Sequence, residues 1–373
     1  MKLICRKVEL KAININVTAL FFWGTVLTLT HFQVTVLKFK ESKMKKVIFF
    51  LFFLCISSLS TINSYADTFE INKITENETN DRDPSLFGGN IAWMGSNEIY
   101  YWDGNAIIKI TDDGNNGHPS LHNGAIAYMG YDGNDYEIYY WDGNTTINVS
   151  NNNSNDGIPS LHSGAIAWQG YDHQIYYWDG SIVTQVTQDN TDKSHPSLYN
   201  GTIAWAVNNA NDHEINYWDG NNVIKVTNNN SGDIGNPSLY NGTIAWSAYD
   251  GNDHEIYYWD GDTVIQITDN DSGDIYPSLF NGNIAWAGNF SVYAENPKIY
   301  YWNGSTINQV TDNDSWDSEP SVYNGNIAWY GNDGDNEIYY AKQTVPVPEP
   351  TSMFLLVSGL IFFAGLKSRF RKG

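Results

Sequence analysis

The 373-residue chain has only two cysteines, Cys5 and Cys55, and neither lies in its long central body. That body therefore holds no disulfide and no thiol chemistry. Helix-forming Ala, Leu, Glu and Lys are thin there, while Ile, Val, Thr, Tyr and Trp abound, which favours strands. Charged residues make up 17% of the chain and aromatics 15%, a mixture too aromatic for disorder despite the many Asn and Asp. Positive charge is scarce: between Asp67 and Pro346 seven Lys and Arg stand against 39 Asp and Glu, a net charge of −32. Such a body repels nucleic acid and anionic lipid and favours cations or neutral ligands. There is no Gly-x-Ser-x-Gly, no phosphate loop and no Cys–His pairing, so no enzyme class is announced by motif.

Long apolar runs occur only near the ends. Met44 opens a stretch with Lys45 and Lys46, an apolar run from Val47 to Ile56, and Ser64-Tyr65-Ala66. These are the three parts of a secretory signal peptide, cleaved after Ala66. Leu54 is too bulky for a lipoprotein signal at Cys55. Residues 1–43 precede this complete signal, which points to translation starting at Met44; the alternative is an upstream anchor using the apolar stretch Val17 to Leu29. At the other end a Pro-rich linker leads into Met353–Leu366, followed by Lys367, Arg369, Arg371 and Lys372. Fourteen apolar residues are short for a stable span, which needs about 20, and the basic tail would hold it cytoplasm-side. Pro348-Glu349-Pro350 before this segment resembles the PEP-CTERM sorting signal. The resemblance implies export by a Gram-negative bacterium through the secretion machinery. It also implies transient membrane anchoring and processing by an exosortase-type enzyme, at the cell envelope or its outer surface.

The body between these ends is repetitive. A Pro-Ser pair recurs at Pro84, Pro119, Pro159, Pro196, Pro237, Pro277 and Pro320, at intervals of about 40 residues, the size of a propeller blade. Each unit parses by its turns. An Asn-Gly turn, as at Asn241-Gly242, follows Pro-Ser-Leu and reverses the chain. Ile244-Ala245-Trp246 is the next strand, then a Gly/Asp/Asn loop, then Glu255 to Trp259. A second turn at Asp260-Gly261 leads to Val264–Thr268. Four short antiparallel strands, a to d, result. Ile-Tyr-Tyr-Trp is apolar on both faces, so each sheet must be covered on both sides. Sheets stacked around an axis provide that cover; a two-layer sandwich leaves one face wet. The seventh unit lacks a d strand, and a spare d-like strand ending at Thr75 precedes the first Pro-Ser. The expected fold is thus an all-β, seven-bladed β-propeller over residues 67–345, closed by its N-terminal strand. A signal peptide at 44–66, a sorting signal at 346–373 and hydrophobic helices at both ends would flank it. The unit resembles the TolB-type propeller repeat, although Leu-x-Asn-Gly replaces that family's longer turn. The resemblance implies a fold and a periplasmic or extracellular habit, not an activity.

Function is expected on the rim carrying the long b–c and d–a loops. The b–c loops offer Asp132 and Asp135, Asp250 and Asp253, and Asp333 and Asp335 as ligand contacts. The d–a loops offer Asp269, Asp271 and Asp274, and Asp312, Asp314 and Asp317, as hard oxygen ligands for calcium. Asp and Asn also make turns for purely conformational reasons. Trp316 stands in a d–a loop where other units have Asp or Gly; it is a candidate to stack on a sugar, or an idiosyncratic loop contact. The recurrent Glu98, Glu137, Glu214, Glu255 and Glu337 suggest a structural role within each blade. No catalytic residue is identified. The expectation is a non-catalytic, exported propeller that binds a cell-surface polysaccharide or a protein partner through its acidic loop face. The alternative is a carbohydrate-active lyase or hydrolase with its site at the channel mouth.

Overall fold

A computed structural model describes residues 12–23, 26–37 and 67–344, apart from 209–212, 229–232 and 291–295. The signal-peptide stretch with Ala66, Pro348-Glu349-Pro350 and the hydrophobic helices expected at the two ends lie outside the described residues. Residues 12–37 belong to a separate unit. There Ala12–Trp23 and Val26–Leu37 form an antiparallel hairpin, in register from Ala12↔Leu37 to Trp23↔Val26.

Residues 67–344 form seven four-stranded antiparallel sheets. Blade 1 comprises Asp81–Phe87, Asn90–Gly95, Glu98–Trp102 and Ile107–Lys109, as strands a to d. Blades 2 to 6 repeat this order along the chain. Blade 7 takes strands a to c from Trp316–Tyr323, Asn326–Asn332 and Asn336–Thr344, and its d strand from Thr68–Lys73 at the other end of the domain. The expected seven-bladed propeller with its N-terminal closure is what forms.

The turns behave as their residues require. Asn123 and Gly124 adopt φ of 51° and 81°, the left-handed pair of a tight a–b hairpin. In the c–d turn Asp260 Oδ1 accepts hydrogen bonds from the backbone N–H of Asp262 at 2.9 Å and Thr263 at 2.8 Å. Its side chain thereby mimics a backbone turn. At the rim end of strand d a hydroxyl locks each blade: the Thr268 Oγ1 accepts from Ile256 N at 2.8 Å. Thr111, Ser150, Thr187, Thr227, Thr311 and Thr75 do the same in the other six blades.

Seven apolar clusters form the core, one between each pair of neighbouring blades. Ala204 and Ile215 of blade 4, for example, meet Leu239, Ile244 and Trp246 of blade 5. The tryptophans within strand b are about 1% exposed, and losing such a side chain costs about 3–5 kcal/mol. The tryptophans ending strand c lie edge-on to a tyrosine of the preceding blade, as Trp259 does to Tyr217 at 5.6 Å. Blade 7 has Ala341 at that point, and Phe69 of the closing strand supplies the aromatic instead, 5.5 Å from Tyr301.

A polar girdle joins the innermost strands. The serine of each Pro-Ser accepts a hydrogen bond from the backbone N–H three to four dozen residues on, in strand a of the next blade. Ser197 Oγ accepts from Leu239 N at 2.9 Å and Ser85 Oγ from Leu121 N at 2.8 Å. The last serine, Ser321, accepts from Leu86 N at 2.9 Å and closes the circle. Strand a is the inner edge of its sheet, and these bonds satisfy edge donors that otherwise lack partners.

Candidate functional site

The acidic rim places the expected residues unevenly. Asp132 Oδ1 accepts from Asn134 N at 2.8 Å and Asp135 N at 3.1 Å, and Asp250 makes the same turn with Asn252 and Asp253. Those contacts hold both carboxylates at the loop tips, and they keep Asp132 below the usual carboxylate range. Asp333 is held by Lys73 Nζ at 3.0 Å and by the Tyr339 hydroxyl at 3.1 Å, while Asp335 contributes its carbonyl to the same turn. Trp316 begins strand a of blade 7, half-buried and paired with Asn332.

The two d–a triads proposed for calcium are not drawn to common points. Asp274 is buried and accepts from Asn270 Nδ2 at 2.8 Å; burial pushes its carboxyl up to about 6. Asp317, also buried, accepts from Trp329 Nε1 at 3.0 Å. Asp271, Asp312 and Asp314 stay exposed. Asp269 turns elsewhere, to Asp250 and Glu255. Among the described residues, two carboxylate groups have oxygens within 4.8 Å of one another: Asp132, Asp135 and Glu137, and Asp250, Glu255 and Asp269. The recurrent glutamate is structural as expected. Glu98 Oε2 accepts from Thr111 Oγ1 at 2.6 Å and Oε1 from Gly114 N at 3.0 Å, tying strand c to the d–a loop.

The central channel holds what the sequence reading missed. Two sets of side chains from strand a face the axis, one near each end. At the a–b end Phe87, His122, His162, Tyr199, Tyr240, Phe280 and Tyr323 stand in consecutive contact, with centroids 4.1–4.6 Å apart. Tyr323 returns to Phe87 at 4.5 Å, so the circle closes. Seven centroids at this spacing lie about 5 Å from the axis. Rings this close must stand face to face like paddles with their edges inward, which leaves little open bore. His122 and His162 sit in this annulus as neutral rings. The Nδ1 of each accepts a backbone N–H from the next blade, Ser163 N at 3.2 Å and Asn200 N at 3.0 Å. Burial lowers both, His162 to about 4.

About four residues back along strand a, roughly 10 Å toward the loop face, comes the residue before each proline. A bulge sits here in the a–b pairing, and Asp83, His118, Ile158, His195, Tyr276 and Glu319 have φ between 49° and 56°. These residues differ from blade to blade, and the polar ones meet. His118 Nδ1 lies 3.3 Å from Asp83 Oδ2. Glu319 comes from the blade next to that of Asp83; burial and then the Asp83 charge push its carboxyl up to about 8. His195 is lowered to about 4, first by burial and then by His118 and His213. Tyr276 is raised by burial and by Glu319. The channel is thus polar toward the loop face and capped by aromatics at the other. Glu319, Asp83 and His118 bring two carboxyl groups and an imidazole from three consecutive blades to the same end of the channel. The signal was available: the residue before Pro is the one position in the Pro-Ser-Leu phrase that never settles on a type.

Comparison with known proteins bears on the ends and on the fold. Residues 346–372 match the PEP-CTERM protein-sorting motif. That signal indicates export and sorting to the cell envelope, with processing by an exosortase-type system. No curated protein sequence matches the chain. Among solved structures, the β-propeller domain of the Trilobed protease from Pyrococcus furiosus is 15% identical with a TM-score of 0.59, covering 74% of this chain and 98% of that one. That domain is described as having an open velcro topology, whereas here Thr68–Lys73 completes the seventh sheet. Pyrococcus horikoshii acylaminoacyl peptidase (13% identity, TM-score 0.56) covers 72% of this chain, and the chain spans 52% of the peptidase. A puromycin-hydrolysing peptidase of Mycobacterium tuberculosis (10% identity, TM-score 0.54) covers 73%, against 54% of its own length. The chain therefore spans about half of each of these two peptidases, and at such identities the likeness is one of fold. The protein is an exported β-propeller with a C-terminal sorting motif.

Proposed function

We propose that this propeller is a non-catalytic binding protein of the Gram-negative envelope, anchored by its C-terminal segment before processing. In this reading it takes a cell-surface polysaccharide, or alternatively a protein partner, through the b–c/d–a face and the channel mouth there. The observation that carries the reading is the asymmetry of the channel. Its non-repeating polar side chains, Asp83, His118, His195, Tyr276 and Glu319, lie on the acidic loop side of the aromatic annulus. A neutral, hydroxyl-rich chain suits this wall, since carboxylates and imidazoles accept and donate to hydroxyls while anionic chains are repelled.

A glycan array probed with the purified chain tests the reading, followed by titration of Asp83→Asn and Glu319→Gln. Retention of a glycan with a tenfold or greater loss in these variants supports it. Binding to no glycan, together with no envelope protein retained in a pull-down that the same variants weaken, refutes it. The second reading is a carbohydrate-active enzyme at the same mouth, favoured by the Asp83–Glu319 pair with its raised acid. A glycosidase pair needs its second carboxylate roughly 5 Å or more away and free to act on the sugar, whereas Asp83 is engaged by His118 Nδ1 at 3.3 Å, so binding is preferred. Product released from a bound glycan, and lost in Glu319→Gln, would establish the enzyme instead.

A further inference from the structure

The recurrent buried acid at the start of strand c is accompanied by a cation in some blades and not in others. Strand d lies beside strand c, and one of its residues pairs with the position two after that acid. In blade 1 the residue is Lys109, paired with Tyr100, and its Nζ reaches Glu98 Oε1 at 3.4 Å. In blade 7 it is Lys73, paired with Tyr339, with Nζ 3.6 Å from Glu337 Oε1 and 3.0 Å from Asp333 Oδ2. Blade 4, with Glu214, has Lys225 at this position. Blades 3 and 6 have no acid to neutralise: Gln174 and Lys298 replace it, opposite Gln185 and Gln309. Blades 2 and 5 keep the acid, Glu137 and Glu255, but have neutral Asn148 and Gln266 where the lysine belongs. Among the described residues, these are the two blades in which three carboxylates converge within 4.8 Å. They are also the two with the loop sequence Asp-Gly-Asn-Asp-x-Glu, at 132–137 and 250–255.

Burial makes the convergence demanding. Asp135 is 7% exposed and neither of its carboxylate oxygens has a hydrogen-bond partner, while Glu137 is fully buried beside it. Glu255 is likewise fully buried. A buried, unpaired carboxylate among two others is costly unless a counter-charge arrives. We propose that blades 2 and 5 each bind a calcium ion, held by Asp132, Asp135 and Glu137 and by Asp250, Glu255 and Asp269, in the role that lysine fills in blades 1 and 7. The donor set is all hard oxygen and lies in a turn whose carbonyls and bound water complete a six- to eight-oxygen shell, which suits calcium. An exported protein meets calcium at the concentrations that extracellular modules bind, about 10⁻⁴–10⁻³ M. This assignment is independent of the ligand proposed for the channel.

The test is calorimetric titration of the chelator-treated purified chain with calcium chloride, alongside its melting temperature with and without the ion. The expected result is two ions per chain and a higher melting temperature with calcium. Asp135→Asn and Glu255→Gln each reduce the stoichiometry to one. Because those changes touch buried groups, a second pair restores the lysine that the other blades use. Asn148→Lys and Gln266→Lys should each remove one ion, and together both, while raising the melting temperature measured in chelator. Absence of binding by the unaltered chain, or two ions still bound by the double-lysine variant, overturns the proposal.

Discussion

The serine girdle makes a quantitative claim about what joins the blades. In Ser197→Ala the hydroxyl that accepts from Leu239 N at 2.9 Å disappears. Leu239 is 5% exposed and its strand is the inner edge of blade 5, so no other strand takes up that N–H and water reaches it poorly. An orphaned buried donor costs about 1–3 kcal/mol. For a domain of this size each kcal/mol moves the melting temperature by about 2–4 °C, so a fall of about 2–12 °C is expected. Circular dichroism melts of the purified chain read it directly. Ser305→Ala is the control, since Ser305 bonds only Asn303 Oδ1 in an exposed turn, and its melting temperature should stay within about 1 °C. Ser85→Ala lies at a different blade interface, so its loss should add to that of Ser197→Ala. A Ser197→Ala melt indistinguishable from the control would refute the girdle as a stabilising element.

Three further outcomes follow from the same geometry. Phe69→Ala removes the aromatic that stands in for tryptophan at the blade 6–7 interface; a loss of about 3–4 kcal/mol is expected, read as earlier thermal unfolding and earlier proteolysis at the closing strand. Asp317→Ala leaves the fully buried Trp329 indole N–H without its acceptor, and a loss of about 1–3 kcal/mol is expected by denaturant titration. Glu319 is raised to about 8 in the fold, so the folded state holds its proton more tightly than the unfolded chain does. Its contribution is complete below the unfolded value of about 4.3 and is lost as pH rises through about 8. Glu319→Gln should therefore flatten the decline in melting temperature between pH 5 and pH 9, and an unchanged slope would contradict the burial of that carboxyl.

The frame was legible because its determinants are local. Asn-Gly and Asp-Gly can hardly be anything but reversals, and Ile-Ala-Trp followed by Ile-Tyr-Tyr-Trp has no polar face to offer water. The missing strand after Tyr340 and the spare one ending at Thr75 then required the ring to close. The loop residues were harder, because Asp serves turn and ligand alike. Asp274 and Asp317 look like calcium ligands by spacing, yet their side chains turn inward to Asn270 and Trp329. The clusters that do form join a loop to the buried glutamate of strand c, and in blade 5 also to a second loop through Asp269. The run Asp-Gly-Asn-Asp-x-Glu was visible, but the burial that draws its acids together and the approach of Asp269 were not. The serine was in plain view seven times, but its partner is in another blade.

The channel wall raises a different question, why its variable position is built where a side chain is least welcome. Six non-glycine residues there adopt left-handed φ immediately before proline, a conformation that costs of order 1 kcal/mol or more at each. Were the bulge only a bend in strand a, glycine would serve it without that cost. Glycine occurs at none of the seven positions; Asp83, His118, Ile158, His195, Asn236, Tyr276 and Glu319 stand there instead. The neighbouring Pro and Ser are held constant in all seven blades, so the backbone that imposes the strain is shared while the side chains it aims at the axis are not. A position that retains side chains against the preference of its own backbone, and varies them around the ring, is what the proposed binding of a ligand without sevenfold symmetry requires.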